Sequence, residues 1–391
     1  MTEFIHGNRV TLLHTGAEFF PALLRAIEEA KRDVHLETYI FADDLIGRKV
    51  ATALAEAARR GVVVRILVDG FGARPFSRQF GEMLTAAGAE YLIYREEVAS
   101  FQFSRYRLRR LHRKLAAIDG KIAFIGGINI MDNANAALGV DYCLDYAVRV
   151  EGPVLRPILE SLRQMWNRVA RTSFRPRFRY PEIPRPFLQK AGEHRVIFLP
   201  RIGFYQRNSI AKAYLEAIGN ANASVLMAIA YFLPGWRFRR ALMAAARRGV
   251  KVTLLVQGKS DHWLFHYASR ALCDALMRAG VRIFAYQKGF LHAKVAVVDR
   301  LWATVGSSNI DPFSLFLAKE ANLAVQDAEF AAQLSASLTS EIEEGAVELK
   351  LGSQSRLARI MCWICYGIVR LFVDMAGYGD WHRARRSAPK S

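Results

Sequence analysis

The sequence predicts an α/β fold built from two similar halves. Three observations predict it: an internal repeat, an alternation of helical and strand patterns within each copy, and enough apolar residues to fill two cores. The string AARRGV occurs at residues 57–62 and again at 245–250, each time followed by an apolar run ending in glycine, VVRILVDG and KVTLLVQG. Further on, LHRKLAAIDGKIAFIGGIN at 111–129 is answered by LHAKVAVVDRLWATVGSSN at 291–309. Of the 391 residues, 52% are apolar, which excludes general disorder and suits a length of two domains or one duplicated domain.

The elements follow from their periods. Residues 17–31 (AEFFPALLRAIEEAK) and 46–60 carry apolar side chains at helical spacing. HLETYIF, VVVRILVDG, AEYLIY and KLAAIDGKIAFIG carry the β-branched and aromatic residues of strands. Between the copies, RTSFRPRFRYPEIPRPFLQK at 171–190 holds four prolines and six basic residues, a density that removes backbone donors and blocks helix. The expected organisation is an N-terminal half over 1–170, a basic connector over 171–190, a C-terminal half over 191–350 and a final segment over 351–391.

The charge balance is 55 Lys and Arg against 36 Asp and Glu, a formal +19. Such a chain wants an anionic partner: nucleic acid, an anionic membrane surface or a phosphate-bearing substrate. Cys143, Cys273, Cys362 and Cys365 are too few for a disulfide framework and fit a reducing compartment. Cys362 and Cys365 have no second pair and no nearby histidine, so a zinc site is not expected. The start, MTEFIHGNRVTLL, lacks the basic and apolar regions of a secretory signal, and no run of about 20 apolar residues crosses a membrane.

Superposed, the long repeats share His-x-Lys-x4-Asp-x6-Gly-[Gly/Ser]-x-Asn. The residues are His112, Lys114, Asp119, Gly126, Gly127 and Asn129, then His292, Lys294, Asp299, Gly306, Ser307 and Asn309. Side chains alternate along a strand, so each His and Lys two residues apart share a face. The chain turns at Asp-Gly or Asp-Arg and returns, which can bring Asn129 beside His112 and Asn309 beside His292. Pairing the halves about a pseudo-twofold axis would gather two His, two Lys and two Asn around one pocket. Such a pocket suits a phosphodiester. Lysine ammoniums and asparagine amides hold the non-bridging oxygens, one neutral imidazole attacks phosphorus, and the other, protonated, gives its proton to the leaving alkoxide. That chemistry needs neither metal nor cofactor.

At these residues the chain resembles the phospholipase D superfamily and, within it, the bacterial cardiolipin synthases of the B type. The likeness runs from about residue 5 to 345 and includes LETYIFADD at 36–44, DYAVRVEGP at 145–153 and AYFLPGWRF at 230–238. It implies a phospholipase D-like duplication with a single active site and transfer through a phosphohistidine. His112 is then the nucleophile and His292 the general acid and base, with Lys114, Lys294, Asn129 and Asn309 binding phosphate. It also points to an acid on the strand after each motif, Asp145 and Glu320, to fix the imidazole tautomers. Asp119 and Asp299 belong to the motif and are counted with the catalytic set, although their place in the turn also suits a structural role.

The implied substrate is an anionic phospholipid, with phosphatidylglycerol as acceptor. Two features suit a membrane surface: the loop RYRLRRLHRK at 105–114, after SFQF at 100–103, and the apolar stretch 356–386 with Arg359 and Arg370 at its edges. The latter reads as an interfacial helix with a cationic tail, or else as a terminal helix packed on the core. These features place the protein peripherally on the cytoplasmic face of the bacterial inner membrane. A phospholipase D hydrolase and a metal-independent nuclease or phosphodiesterase would use the same pocket; no nucleic-acid partner is expected.

Overall fold

The computed structural model describes residues 3–96, 109–132, 142–175, 178, 180, 189–202, 208–258, 263–311, 314, 317–352 and 356–375. Residues 105–108 of the basic loop with SFQF before them, most of the connector and the cationic tail lie outside the described residues. The first half holds strands β1 (Ile5–His14), β2 (Asp33–Thr38), β3 (Val63–Asp69), β4 (Glu90–Tyr94), β5 (Leu115–Ile118), β6 (Ile122–Gly126), β7 (Cys143–Leu144) and β8 (Tyr146–Glu151). The second holds β9 (His194–Arg201), β10 (Ser224–Ile229), β11 (Lys251–Gln257), β12 (Arg282–Tyr286), β13 (Phe290–Leu291), β14 (Lys294–Val298), β15 (Trp302–Gly306), β16 (Glu320–Gln326) and β17 (Ala346–Glu348). Their helices are α1 (Thr15–Glu28), α2 (Leu45–Arg59), α3 (Phe76–Ala86) and α4 (Leu155–Thr172), then α5 (Ser209–Asn220), α6 (Trp236–Arg247), α7 (Trp263–Arg278), α8 (Ala328–Gly345) and α9 (Arg356–Met375).

The repeat appears directly in the strand order. Outward from the β1–β9 pairing, one side reads β1-β8-β6-β5-β2-β3-β4 and the other β9-β16-β15-β14-β10-β11-β12, with β17 added at the far edge. All these strands form one sheet, parallel where β2, β3, β4 and β10, β11, β12 pair and antiparallel at its centre. A central apolar cluster lies where the halves meet, with Ile158 and Leu162 of α4, Leu334 and Leu338 of α8, and the inner faces of both sets of strands. Each half has a further core of its own beneath its outer helices.

Local chemistry explains the elements. In α1 the apolar side chains of Phe19, Phe20, Leu23 and Ile27 recur at helical spacing and are buried. Helix α2 starts where the Asp44 side chain accepts from the Gly47 amide at 2.8 Å, an N-cap that satisfies one of the orphan donors of the first turn. The β5–β6 turn places Asp119 and Gly120 in the left-handed region at φ 55 and 64°, and the β14–β15 turn does so with Asp299 and Arg300, both at 52°. Both are the conformation a right-twisted hairpin favours, but arginine bears a steric cost there that glycine escapes. Arg300→Gly should therefore stabilise the fold by about 0.5–1 kcal/mol, read as a higher urea midpoint at unchanged slope. A lower midpoint would show that the Arg300 side chain makes a larger contribution elsewhere.

Candidate functional site

The site is assembled by four short strand ends, two from each half. Leu111 bridges Lys319, and the His112 amide donates to the Lys319 carbonyl at 2.9 Å. In the same way β13 pairs with β7, and the His292 amide donates to the Leu144 carbonyl at 2.8 Å. Lys319 and Leu144 immediately precede Glu320 and Asp145. Each histidine thus lies against the acid-bearing strand of the opposite half. His112 Nδ1 is 3.0 Å from Glu320 Oε1, and His292 Nδ1 is 2.6 Å from Asp145 Oδ2. An ionised carboxylate only accepts, so both histidines carry their proton on Nδ1 and keep the Nε2 lone pair.

The lysines and asparagines complete the pocket. Lys114 and Lys294 are buried and donate from Nζ to the carbonyls of His112 and His292. Asn129 Oδ1 accepts from the Ile40 amide at 3.1 Å, and Asn309 Oδ1 accepts from the Tyr231 amide at 3.3 Å. An amide carries its donors on Nδ2, so with Oδ1 committed to the backbone the side chain can offer an anion its N–H groups. Both asparagines and both acids are buried, while the histidine side chains keep 17% and 16% of their surface, enough for Nε2 to meet a substrate.

Burial dominates the protonation states. It pushes the His112 imidazole below its ordinary value, with Glu320 opposing and Lys114 and Lys294 assisting. It lowers His292 to about 4, with Lys294 next in weight. The Lys114 ammonium is brought down to about 7, and Lys294 is lowered as well, both chiefly by desolvation. At neutral pH the imidazoles are therefore uncharged, as a nucleophile requires, and Lys114 gives up its proton far more readily than an exposed lysine.

Sequence reasoning assigned no role to three contributors. Gly127 and Ser307 occupy the one motif position that differs between the copies. A Cβ at Gly127 would lie 2.2 Å from Asp145 Oδ1, so the first half has room for nothing larger. In the second half the Ser307 hydroxyl donates to Glu320 Oε2 at 2.5 Å and helps hold the carboxylate against His112. The Gly/Ser variation was visible in the aligned repeats, but its partner acid was not. Tyr39, within LETYIFADD, sets its ring centroid 5.1 Å from that of His112 and 5.4 Å from Lys114 Nζ.

The motif aspartates do not join this group. Asp119 accepts from the amides of Lys31, Arg32 and Asp33, and Asp299 from those of Asn222, Ala223 and Ser224. They sit beyond the far ends of β5 and β14, roughly 20 Å along the chain from the histidines at strand rise. Their inclusion with the catalytic set is thus corrected: they fasten hairpin turns to the starts of β2 and β10. Among the described residues no cluster of three or more His, Cys, Asp or Glu could hold a metal ion.

A family model described as cardiolipin synthase, PLD-like domain, matches residues 23–168 and 214–342, one segment in each half. The chain belongs to this family. It is 36% identical over 387 residues to the cardiolipin synthase B of Shigella flexneri, covering 97% of this chain and 92% of that one. It is 31% identical to the cardiolipin synthase of Oceanobacillus iheyensis, covering 87% and 70%. Among solved structures, phosphatidylserine synthase of Haemophilus influenzae shares the fold at a TM-score of 0.73 over 97% of both chains, at 13% identity.

For a member of this family these protonation states have a measurable consequence. An anionic phosphodiester favours the charged forms of His292, His112 and Lys114, so their protonation rises on binding. Binding of a non-reacting phosphodiester at pH 7 should take up protons, seen by calorimetry as an enthalpy that depends on the ionisation enthalpy of the buffer. Proton release on binding would contradict these assignments.

Proposed function

We propose that the protein is a phosphatidyltransferase that makes cardiolipin, moving a phosphatidyl group from phosphatidylglycerol or another phospholipid to phosphatidylglycerol through a covalent phosphohistidine. The observation that carries this reading is the pair of histidine–carboxylate contacts crossed between the halves, close enough together that both lysines act on both imidazoles. The relatives named as cardiolipin synthases supply the substrate.

His112 Nε2 attacks phosphorus while Glu320 stabilises the positive charge growing on the imidazole. Lys114, Lys294, Asn129 and Asn309 hold the non-bridging oxygens, which gather charge in the transition state. His292 is protonated once the phosphodiester is bound, gives its proton to the leaving glycerol oxygen, and becomes the base. It then takes the proton from the glycerol hydroxyl of a second phosphatidylglycerol. That oxygen attacks phosphorus, the bond to His112 breaks, and cardiolipin departs with both histidines restored. Purified enzyme on phosphatidylglycerol vesicles, with chelator present, should yield cardiolipin and glycerol by mass spectrometry. Phosphatidic acid as sole product would make it a hydrolase. His112→Ala and His292→Ala should each lower turnover by about 10³-fold or more, and a double variant that still forms product would refute the mechanism.

The membrane reading rests on α9. One face, with Cys362, Cys365, Tyr366 and Val369, is buried in the second half's core against α7. The other exposes Leu357, Ile360, Met361, Trp363, Ile364, Ile368 and Leu371, beside the exposed Arg359 and Arg370. The packed alternative thus describes one face of the helix, and we propose the interfacial one for the face left exposed. No described helix is long and apolar enough to cross a membrane. An apolar face with flanking cations suits an anionic bilayer surface, which we place at the cytoplasmic side of the inner membrane. Replacing Ile360 and Trp363 together by serine should weaken sedimentation with phosphatidylglycerol vesicles by about tenfold or more, since a buried large apolar side chain contributes about 1.5–3 kcal/mol. Unchanged binding would move the contact elsewhere.

A further inference from the structure

Each histidine is held from another direction by a residue outside the motif. Asp69 ends β3 and is fully buried. Its Oδ2 accepts from the Leu111 amide at 2.7 Å, and its Oδ1 accepts from the amides of Phe71 and Gly72 at 2.9 and 3.2 Å. Gln257 ends β11 at the matching place in the repeat, and its Oε1 accepts from the Leu291 amide at 2.8 Å. Leu111 and Leu291 are the residues directly before His112 and His292. The backbone entering each histidine is thereby fixed twice, once by the opposite half through the histidine amide and once by its own half through the preceding amide.

The two fasteners are alike in place and unlike in charge. Asp69 uses both oxygens and has Arg110 Nη1 at 4.0 Å. Gln257 uses one, and its buried Nε2 has no hydrogen-bond partner among the described residues. We infer that Asp69 and Gln257 are paired positioning residues for the two histidines, and that a carboxyl at one tether and an amide at the other contribute to an electrostatic difference between the two sides of the site.

This inference rests on the phosphodiester-transfer reading, and its physical content is twofold. A displacement of about 1 Å at a reacting group costs about 10²-fold in rate, so an amide tether one residue away is expected to show in kcat. The groups that act on Lys114 are Glu320 on β16, Asp145 before β8, Asp69 on β3 and the opposing Lys294 on β14; Asp69 is one of the three carboxylates that favour its protonated form. Lys294 is served instead by Asp145, Glu320, Asp311 and the Cys143 sulfur.

The test uses the full chain on phosphatidylglycerol vesicles and, separately, on bis(p-nitrophenyl) phosphate in solution. D69A and Q257A should lower kcat by about 10²-fold with little change in KM, since the tether acts on alignment rather than on substrate binding. D69N leaves one carbonyl oxygen for the Leu111 amide, so it should recover much of that kcat. It should also move the alkaline limb of kcat/KM to lower pH, because Lys114 gives up its proton more readily without the neighbouring carboxylate. A purely structural role would not move that limb. If D69A fails to fold, Q257A and D69N decide the matter. A wild-type pH profile in D69N, or a kcat within about threefold of wild type in Q257A, would overturn the inference. Absence of turnover by the unmodified enzyme on both substrates would refute the transfer reading itself, a result distinct from active enzyme with unaffected variants.

Discussion

The structure depends on one constraint, that each histidine finds its carboxylate across the junction between the halves. Glu320 serves His112 and Asp145 serves His292, so neither contact can form until the two halves are docked in register. The antiparallel β1–β9 pairing, the central apolar cluster and the short bridges Leu111–Lys319 and Leu291–Leu144 all act to hold that register. Ser307 and Gly127 show how tightly it is set, one by donating to the acid and the other by leaving it room.

The same crossing settles how two lysines can be buried beside one another. Each acid acts on both ammoniums, so the charges form one four-membered group and not two separate pairs. Removing one partner from such a group leaves the others uncompensated in a medium that punishes isolated charge. The pocket is thus arranged for an arriving anion. Burial holds the histidines and Lys114 below their ordinary values, and a phosphodiester supplies the negative charge that restores them.

Much of this was legible in the sequence. The duplication, the α/β class and the eight His, Lys, Asn and acid positions gathered at the pocket follow from spacing, period and resemblance. Helix 17–31 is found as Thr15–Glu28 and helix 46–60 as Leu45–Arg59, with differences confined to their ends. What spacing could not reveal is which strand lies opposite which. The crossing of Asp145 and Glu320, the partner of Ser307 and the tethers from Asp69 and Gln257 are all long-range contacts. Asp119 and Asp299 were misgrouped for the same reason: they share the motif with the histidines, but a strand of four or five residues carries them to the other end of the sheet. The halves also diverge beneath the motif. Arg113, fully buried with Nε 2.9 Å from Glu37 Oε2, stands where the second half has Ala293, a difference plain in the sequence but without meaning there until its partner was placed.

The crossed carboxylates bear on how such a molecule could arise. A single half would own a histidine, a lysine and an asparagine, but the acid beside its histidine would have to come from another copy. That is the arrangement of a symmetric dimer, in which two identical chains exchange one side chain each. Joining the copies in one polypeptide replaces an encounter that depends on concentration with a partner that is always present. It also frees the two copies to differ, and the departures at Gly127 and Ser307, Asp69 and Gln257, and Arg113 and Ala293 are of a kind no chain paired with its own duplicate could hold.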